Sequence, residues 1–273
     1  MMKKIFIAIC CIISSTLFAQ QGKDGSPVIS STVSVNEYTY LTANEPAGAT
    51  TITVASSTLN AHARFTGNLA AGDLIMIIQM QGATLNGSIN PGNRNIGQPK
   101  DSTWGAVNNY NNCGNYEFAE VNAVPSGTTI KLDCPLQYSY TDTGKVEIVR
   151  VPRYAALTIN SGGTISCDPW DSTIGGIIVV EVKGNTVINS GGAINATGMG
   201  FRGGSLANQD SIGWGIGDVA FGLQAYGKEK GEGVGGYEWK YAKLGGKEGM
   251  GAPGNGGGGG NAQNSGGGGG ANG

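Results

Sequence analysis

The sequence predicts an all-β protein with an antiparallel β barrel or sandwich, then short β-solenoid-like coils and a glycine-rich tail. Three observations predict this fold class. Helical periodicity is nearly absent after residues 1–19, and β-branched runs alternate with polar residues between Gly, Pro, Asn and Asp. A nine-residue phrase also occurs twice, at residues 158–166 and 187–195. Repetition at a fixed offset is typical of stacked coils.

Residues 1–19 have the features of a secretory signal peptide. Lys3 and Lys4 form a basic start, residues 5–18 are an apolar run, and Ala19 offers a small residue before the cleavage point. The run is too short for a durable membrane anchor, although an N-terminal membrane helix is the alternative interpretation. We therefore expect a secreted protein, at the cell surface or extracellular, with no membrane span after signal cleavage.

Composition excludes several function classes. The net charge is −2 and charged residues make up 13% of the chain, without a basic stretch for nucleic acid. The only histidine is His62, no nucleophile elbow lies near it, and no CxxC motif occurs. Residues 198–203 match G-x-G-x-x-G, but no helical pattern follows them. Residues 222–228 resemble a phosphate loop, but Glu229 stands where Ser or Thr should bind magnesium, and an exported protein seldom meets ATP. We expect no catalytic, metal or cofactor-binding residues.

Three cysteines follow the signal peptide: Cys113, Cys134 and Cys167. Export permits disulfides, but three cysteines cannot all pair within one chain. A Cys113–Cys134 disulfide would close the shortest loop, and three reduced thiols are the alternative.

Residues 28–153 read as the antiparallel unit. Strand patterns cover residues 31–41, 50–55, 73–80, 116–121, 128–132 and 145–151. In residues 73–80 apolar side chains fall on both faces of the strand, which predicts a strand covered on both sides. The long polar loop after Gln81 contains Trp104 and Tyr110, which either bind a ligand or hold the loop down.

Residues 154–200 read as the solenoid-like repeat. The two copies of the phrase are Thr-Ile-Asn-Ser-Gly-Gly-Thr-Ile-Ser and Val-Ile-Asn-Ser-Gly-Gly-Ala-Ile-Asn. We expect Ile159 to stack on Ile188 and Ile165 on Ile194, because each coil buries the inward face of its neighbour. Asn160, Ser166, Asn189 and Asn195 should face outward or lie in turns. Two edge hairpins that share turn chemistry are the alternative.

Residues 201–273 form a glycine-rich segment with spaced aromatic residues. Its runs of glycine are typical of a flexible linker or of extended polyglycine helices. Because the segment has no closing element, we expect it to continue into a C-terminal part beyond this sequence.

Several motifs together resemble a known family. They are Val151-Pro-Arg-Tyr, a Pro-Trp-Asp to Gly-Gly turn at residues 169–176, Gly-Asn-Thr-Val-Ile-Asn at 184–189, and Gly-Phe-Arg-Gly-Gly at 200–204. The combination, within residues 70–273, resembles the N-terminal region of very large secreted surface proteins of gliding Bacteroidota, commonly labelled adhesins. The resemblance implies type IX secretion, with the secretion machinery as a partner, and no catalytic residues. The C-terminal sorting domain of that family does not occur in this sequence.

The same bacteria attach O-glycans at Asp-Ser/Thr followed by an apolar residue or Thr. Ser102, Ser172 and Ser211 follow an aspartate in this pattern and are candidate O-glycosylation sites. Three residues of pattern carry little information, so each site is a candidate for direct testing.

The function predicted from these features is the non-catalytic, structural and binding N-terminal part of a secreted cell-surface adhesin. Surface glycans or other cell-surface proteins are its candidate partners. The alternative is the scaffold of an extracellular polysaccharide-acting enzyme on a β-helix, for which Asp168 and Asp171 beside Trp170 would be the acids. We expect the enzyme alternative to fail because such turns are usually solvated loops.

Overall fold

The structure is a computed structural model that describes residues 20–86, 106–203 and 231–236, together with Gly254 and Gly256. It confirms the all-β fold class within these residues. A short 3₁₀ turn at Asp142–Gly144 accompanies sixteen strands. The strands are β1 Val28–Ile29, β2 Thr32–Ser34, β3 Glu37–Tyr40, β4 Thr51–Thr53, β5 Leu74–Gln79, β6 Thr84–Leu85, β7 Val107–Asn109, β8 Tyr116–Ser126, β9 Thr129–Leu132, β10 Val146–Val151, β11 Arg153–Tyr154, β12 Leu157–Ile159, β13 Thr164–Ser166, β14 Glu181–Val182, β15 Thr186–Ile188 and β16 Ala193–Ile194.

The chain divides into two compact units. One comprises Met1–Gln79 and Asn115–Gly200, and the other Met80–Gly114 and Phe201–Gly273. In the second unit β6 pairs with β7, and the side chain of Arg202 forms a two-pronged contact with the buried carboxylate of Glu232 at 3.1 Å. The first unit holds the barrel and the coils. No helix among the described residues is long and apolar enough to cross a membrane.

The antiparallel unit is a small curled barrel. Its six strands follow the order β3-β10-β5-β8-β9-β4. The edge strands β3 and β4 meet where Leu41 bridges Val54 and the Thr42 N–H donates to the Thr53 carbonyl at 3.0 Å. Two register shifts in β8 supply the strong local bend that such closure needs. Inward side chains such as Ile75 fill the barrel completely, so it encloses a packed core.

Three rungs of parallel strands form the predicted solenoid. In the first column β1, β12 and β15 lie side by side, with Ile29 opposite Ile159 and Ile159 opposite Ile188. The second column contains β2, β13 and β16, with Ile165 opposite Ile194. Ile159 and Ile165 are fully buried between the neighbouring rungs. The stacking predicted for the repeated phrase is therefore confirmed.

The first rung lies where the sequence did not indicate it. The sequence assigns residues 28–34 to the antiparallel unit of residues 28–153, with one strand over 31–41. The structure ends β2 at Ser34, begins β3 at Glu37, and pairs residues 28–34 in parallel with the second rung. The barrel is therefore inserted between the first and second rungs of the solenoid. The first rung was missed because Ser30 and Ser31 replace the Asn-Ser-Gly-Gly turn of the other two.

The paired glycines of the repeated phrase have a steric cause. Gly162 and Gly191 have φ of +80° and +85°, the left-handed region that glycine adopts without strain. A Cβ atom on Gly192 would lie 2.8 Å from the carbonyl oxygen of Ile159 in the rung below, and one on Gly163 would overlap the carbonyl of Ile29. The first rung has no rung beneath it within the described residues, so it does not need this glycine.

The prediction that Ser166 faces outward or lies in a turn is wrong. Asn189 and Asn195 are exposed and Asn160 is half-buried, but Ser166 is 7% exposed. The Ser166 hydroxyl donates to the Asn195 carbonyl of the next rung at 3.0 Å. A small hydroxyl side chain can turn back onto the backbone, and this contact buries it.

Candidate functional site

The outer face of the barrel carries the aromatic side chains with the largest exposed fractions on any strand of the first unit. Tyr116 and Phe118, on β8, are 55% and 49% exposed, and Tyr40, on β3, is 39% exposed. Residues of β8 alternate, so Glu117 and Ala119 point into the barrel while the two rings point outward. We call Tyr40, Met76, Ile78, Tyr116 and Phe118 the aromatic face.

Strand register fixes the arrangement of the aromatic face. Ile78 lies opposite Tyr116, and Met76 lies opposite Phe118 on the adjacent strand. The rings of Tyr116 and Phe118 meet edge to face, with centroids 6.5 Å apart and an interplanar angle of 89°. This geometry is a preferred aromatic pairing, so the two rings hold each other in place. The half-buried side chains of Met76 and Ile78 extend the apolar surface toward the middle of the sheet.

A cleft of about 340 Å³ lies beside Tyr40. Polar groups dominate its lining: the side chains of Asp142, Lys145 and Thr173 are present together with the Tyr40 ring. Both charge signs and several hydroxyl groups are therefore available next to an aromatic ring. Small-molecule sites combine such apolar surface with a few polar groups that fix orientation.

The other part of the same sheet face is covered by residues 171–180. The Tyr38 hydroxyl donates to the Ile177 carbonyl at 2.7 Å, and the Gly175 N–H donates to Glu147 Oε1 at 2.7 Å. Asn36 is fully buried, donates to the carbonyls of Arg150 and Val179, and accepts from the Val179 N–H. These contacts attach the barrel to the solenoid.

Glu147 is a buried acid beneath this cover. Its side chain is fully enclosed, and its Oε2 atom has no hydrogen-bond partner within the part of the chain that the structure describes. Burial is the main cause that raises the pKa of Glu147 to about 8; the Gly175 N–H opposes the shift and the nearby Asp171 adds to it. Glu147 is therefore a neutral acid at pH 7. Because it is enclosed, it cannot reach a substrate.

The two acids considered from the sequence, Asp168 and Asp171, are each held by local contacts. Asp168 receives two hydrogen bonds from the Arg64 guanidinium, at 2.7 and 2.9 Å. Burial alone would raise the pKa of Asp168, but the contacts with Arg64 outweigh it and lower that pKa below its usual value. Asp171 Oδ1 accepts the N–H groups of Thr173 and Ile174 and so shapes its own turn. Both carboxylates are engaged in holding the loop.

His62 has a structural environment. Its backbone N–H donates to Glu37 Oε1 at 2.9 Å, and its Nδ1 atom lies 3.3 Å from Glu37 Oε2. Glu37 is almost fully buried, so the contact ties the loop that contains His62 to β3. Among the described residues, no three His, Cys, Asp or Glu side chains cluster as metal ligands would.

The candidate modification sites are only partly described. Ser102 and Ser211 lie outside the described residues. Ser172 lies in the loop of residues 171–176, is half-buried and has φ of +89°. Glycosylation at these serines stays a prediction.

The thiol of Cys113 is buried and takes part in no disulfide in the structure. Its Sγ–H donates to the Met80 carbonyl at 3.2 Å, and burial raises its pKa. The Cys113–Cys134 pairing is therefore not formed in this structure, and it stays a prediction that thiol titration of the exported protein can test. Cys167 is also a buried thiol, and burial raises its pKa as well.

The motifs behind the family resemblance hold the fold together. Arg153 is buried, and its guanidinium bonds Glu120 of β8 at 2.7 Å and Glu181 of β14 at 2.5 Å. Trp170 is buried, and its backbone N–H donates to the Met199 carbonyl one rung further along. A Cβ on Gly175 would lie 2.5 Å from the Pro169 carbonyl. These residues specify the junction of barrel and solenoid.

The aromatic face was not predicted from the sequence. A usable signal was present, because Tyr116 and Phe118 alternate with Glu117 and Ala119 in one strand. The aromatic residues that were singled out, Trp104 and Tyr110, lie in the long loop. Trp104 is outside the described residues, and Tyr110 is exposed in the second unit.

Comparison with known proteins yields distant structural likeness only. No family model and no curated protein match the chain. The chain is similar to three bacteriophage tailspikes: gp61 of Pseudomonas phage phi297 (13% identity, TM-score 0.25, 52% of this chain and 23% of that one), gp49 of Pseudomonas phage LKA1 (17%, 0.25, 53% and 27%), and gp54 of Acinetobacter baumannii phage AP22, solved with a capsular saccharide (15%, 0.26, 52% and 24%). The chain spans about a quarter of the length of these tailspikes. At this identity and TM-score the likeness carries no functional inference.

Proposed function

We propose that this chain is the N-terminal structural and binding part of a secreted cell-surface adhesin, and that it binds polysaccharide through the aromatic face. The observation that carries the proposal is the exposure of Tyr116 and Phe118 on a rigid barrel. Exposed apolar patches on folded domains mark interaction sites. The signal peptide predicted for residues 1–19 and the family resemblance support export to the cell surface.

The chemistry of the face favours a sugar ligand. The C–H faces of a pyranose ring pack against aromatic rings, while its hydroxyl groups need hydrogen-bond partners. Tyr116 and Phe118 offer the first, and the cleft lined by Asp142, Lys145 and Thr173 offers the second near Tyr40. Strands lie about 4.8 Å apart, so Tyr40 and Tyr116 are separated by roughly 14 Å across three strand intervals. Glu147 of β10, which residues 171–180 cover, lies between Tyr40 and Ile78 in this row. The continuous contact surface for a sugar chain is therefore Tyr116 and Phe118 with Met76 and Ile78, and Tyr40 is a separate ring beside the cleft.

The binding role is non-catalytic in this proposal. The acids nearest to the Trp170 turn are used by Arg64 and by backbone N–H groups, and the acid with the strongly raised pKa is enclosed. A glycosidase needs two reachable carboxyl groups on either side of a bond. In this proposal Asp168 and Asp171 hold the turn and take no part in bond cleavage.

The test is polysaccharide binding by residues 20–273, the chain without the predicted signal peptide. A panel of neutral and acidic polysaccharides is screened by affinity electrophoresis and bound examples are measured by calorimetry. We expect Tyr116→Ala with Phe118→Ala to weaken binding at least tenfold, about 1.4 kcal/mol. Tyr138→Ala is the matched control, since Tyr138 is 43% exposed in the loop between β9 and β10.

Two outcomes would contradict the proposal. Binding that survives the double substitution, or that Tyr138→Ala reduces equally, would remove the aromatic face as the site. Release of new reducing ends from any bound polysaccharide, abolished by Asp168→Ala or Asp171→Ala, would favour the enzyme alternative instead.

A further inference from the structure

The third rung of the solenoid ends in an open apolar surface. Ile188 and Ile194 occupy the inward stacks above Ile159 and Ile165, which are fully buried. Yet Ile188 is 49% exposed and Ile194 is 46% exposed. Inward side chains of a solenoid become buried only when the next rung covers them. The upper surface of the third rung is therefore an incomplete core.

The backbone of this rung is also an open edge. β15 and β16 each stand last in their columns, and no described strand pairs with their outer sides. Edge strands present a row of N–H and C=O groups that can template another strand. Burial of the two isoleucines and pairing of the two edges would occur together, because both face the same direction along the solenoid axis.

Polar side chains on the turn add a directional signal. Asn160 Nδ2 donates to Ser30 Oγ at 3.3 Å, and Asn189 Nδ2 donates to Asn160 Oδ1 at 3.0 Å. Each rung thus donates from its amide to the rung before it. In this ladder the side-chain oxygen Oδ1 of Asn189 is placed to accept the same hydrogen bond from the amide of a further rung.

The spacing between rungs sets a steric requirement on the incoming segment. Gly192 crosses so close to the second rung that a Cβ would lie 2.8 Å from the Ile159 carbonyl and 2.9 Å from the Asn160 carbonyl. A segment that stacks on the third rung in the same way needs glycine at the equivalent position. It also needs Ile or Val at both inward positions and Asn or Ser at the ladder position.

We propose that the upper surface of the third rung is a docking site for a strand–turn–strand segment of the form Ile-Asn-Ser-Gly-Gly-x-Ile, which adds a fourth rung in parallel register. The occupant is argued from the interface between the second and third rungs, where the two copies of the phrase, 29 residues apart, stack in register and bond Ser166 to Asn195 and Asn189 to Asn160. Recognition is backbone pairing along the edges with two side-chain stacks, the mode known as β-augmentation.

The test uses a synthetic peptide with the sequence of residues 186–195, titrated to roughly 1 mM into isotope-labelled residues 20–273 and followed by NMR. We expect saturable shifts in the amide signals of residues 186–195. The matched control peptide has alanine in place of the second glycine. It should bind at least tenfold more weakly, because its Cβ would meet the backbone of the rung below.

Two protein variants distinguish specific peptide binding at the docking surface from nonspecific adsorption to exposed apolar residues. Ile188→Lys and Val187→Lys change neighbouring residues that are 49% and 45% exposed, on opposite faces of β15. Ile188→Lys should abolish peptide binding and Val187→Lys should leave it unchanged, with circular dichroism and melting curves confirming that both fold. The peptide comparison does not depend on either variant.

Several results would overturn the proposal. These are the absence of shifts in residues 186–195, equal binding of the glycine and alanine peptides, or equal loss of binding in both lysine variants. Concentration-dependent dimerisation that Ile188→Lys abolishes, measured by sedimentation, would assign the surface to a second copy of the chain. None of these measurements involves the aromatic face, so polysaccharide binding can fail while this proposal stands.

Discussion

At the scale of single residues, Glu147 makes the strongest electrostatic prediction. Its pKa is about 8 in the folded protein and about 4.5 when exposed. Between these values the unfolded chain has released the proton and the folded chain has kept it. The free energy of unfolding therefore falls as pH rises from about 5 to about 8, by up to about 1.4 kcal/mol per pH unit.

Glu147→Gln should remove this dependence, since glutamine keeps the shape and the acceptor for the Gly175 N–H. We expect the variant to match the parent at pH 5 and to exceed its stability at pH 8. Urea denaturation at both values measures the difference. Parallel pH profiles for the two proteins would mean that Glu147 does not titrate in this range.

Arg153 makes a second prediction at this scale. Its buried guanidinium bonds two carboxylates on different elements and the Gly72 carbonyl. Arg153→Ala should lower the free energy of unfolding by about 3 kcal/mol, because three acceptors lose their donor. Arg153→Lys keeps the charge but lacks the planar guanidinium, so its free energy of unfolding should lie between those of the parent protein and Arg153→Ala. Chemical denaturation that gives equal stability for alanine and arginine would contradict the assigned role.

At the scale of elements, the position of a residue within the stack decides the effect of a substitution. Ile159 lies in the middle rung and Ile188 at the open end. Ile159→Asp should cost more than about 4 kcal/mol, because the carboxylate would be buried without a partner. Ile188→Asp should cost only about 1 kcal/mol. The sequence alone predicts a severe effect at Ile188, and its 49% exposure changes that expectation. Thermal melting of the two variants compares them directly.

The turns of the rungs make a matched prediction. Gly163→Ala should destabilise the protein by about 2 kcal/mol, because the new Cβ meets the backbone of Ile29. Gly127→Ala is the control, since nothing lies within 4 Å of a Cβ there and its φ is not positive. It should change stability by less than about 0.5 kcal/mol. Equal effects of the two substitutions would show that the close approach is not what selects glycine.

The elements also show how far the sequence could be interpreted. The repeated phrase predicted the stacking of Ile159 on Ile188, because contacts between neighbouring rungs require its glycines and isoleucines. It could not reveal the rung of β1 and β2, which carries neither glycine. Nor could alternation alone indicate that Tyr116 and Phe118 stay exposed, because exposure depends on where residues 171–180 cover the sheet and where they end.

At the scale of the whole molecule, the recognisable motifs include residues that join the barrel to the solenoid. Arg153, Trp170 and the Gly175–Gly176 turn fix that junction, and Asn36 fastens it from the barrel side. Sequence patterns of this kind report on architecture more readily than on ligand binding. The aromatic face is built from ordinary strand residues, so its recognition needs the three-dimensional arrangement.

The insertion of the barrel between two rungs has a consequence for the order of folding. Ser30 meets Asn160 across 130 residues of chain, so we expect the first rung to dock on the second only after the barrel between them has folded and brought the two segments together. Bringing such distant segments together costs roughly 4 kcal/mol of chain entropy, which makes this docking a late kinetic step. Stopped-flow refolding should show the barrel signals recovering first. Residues 28–34 are therefore among the first of this unit to be synthesised and among the last to become ordered.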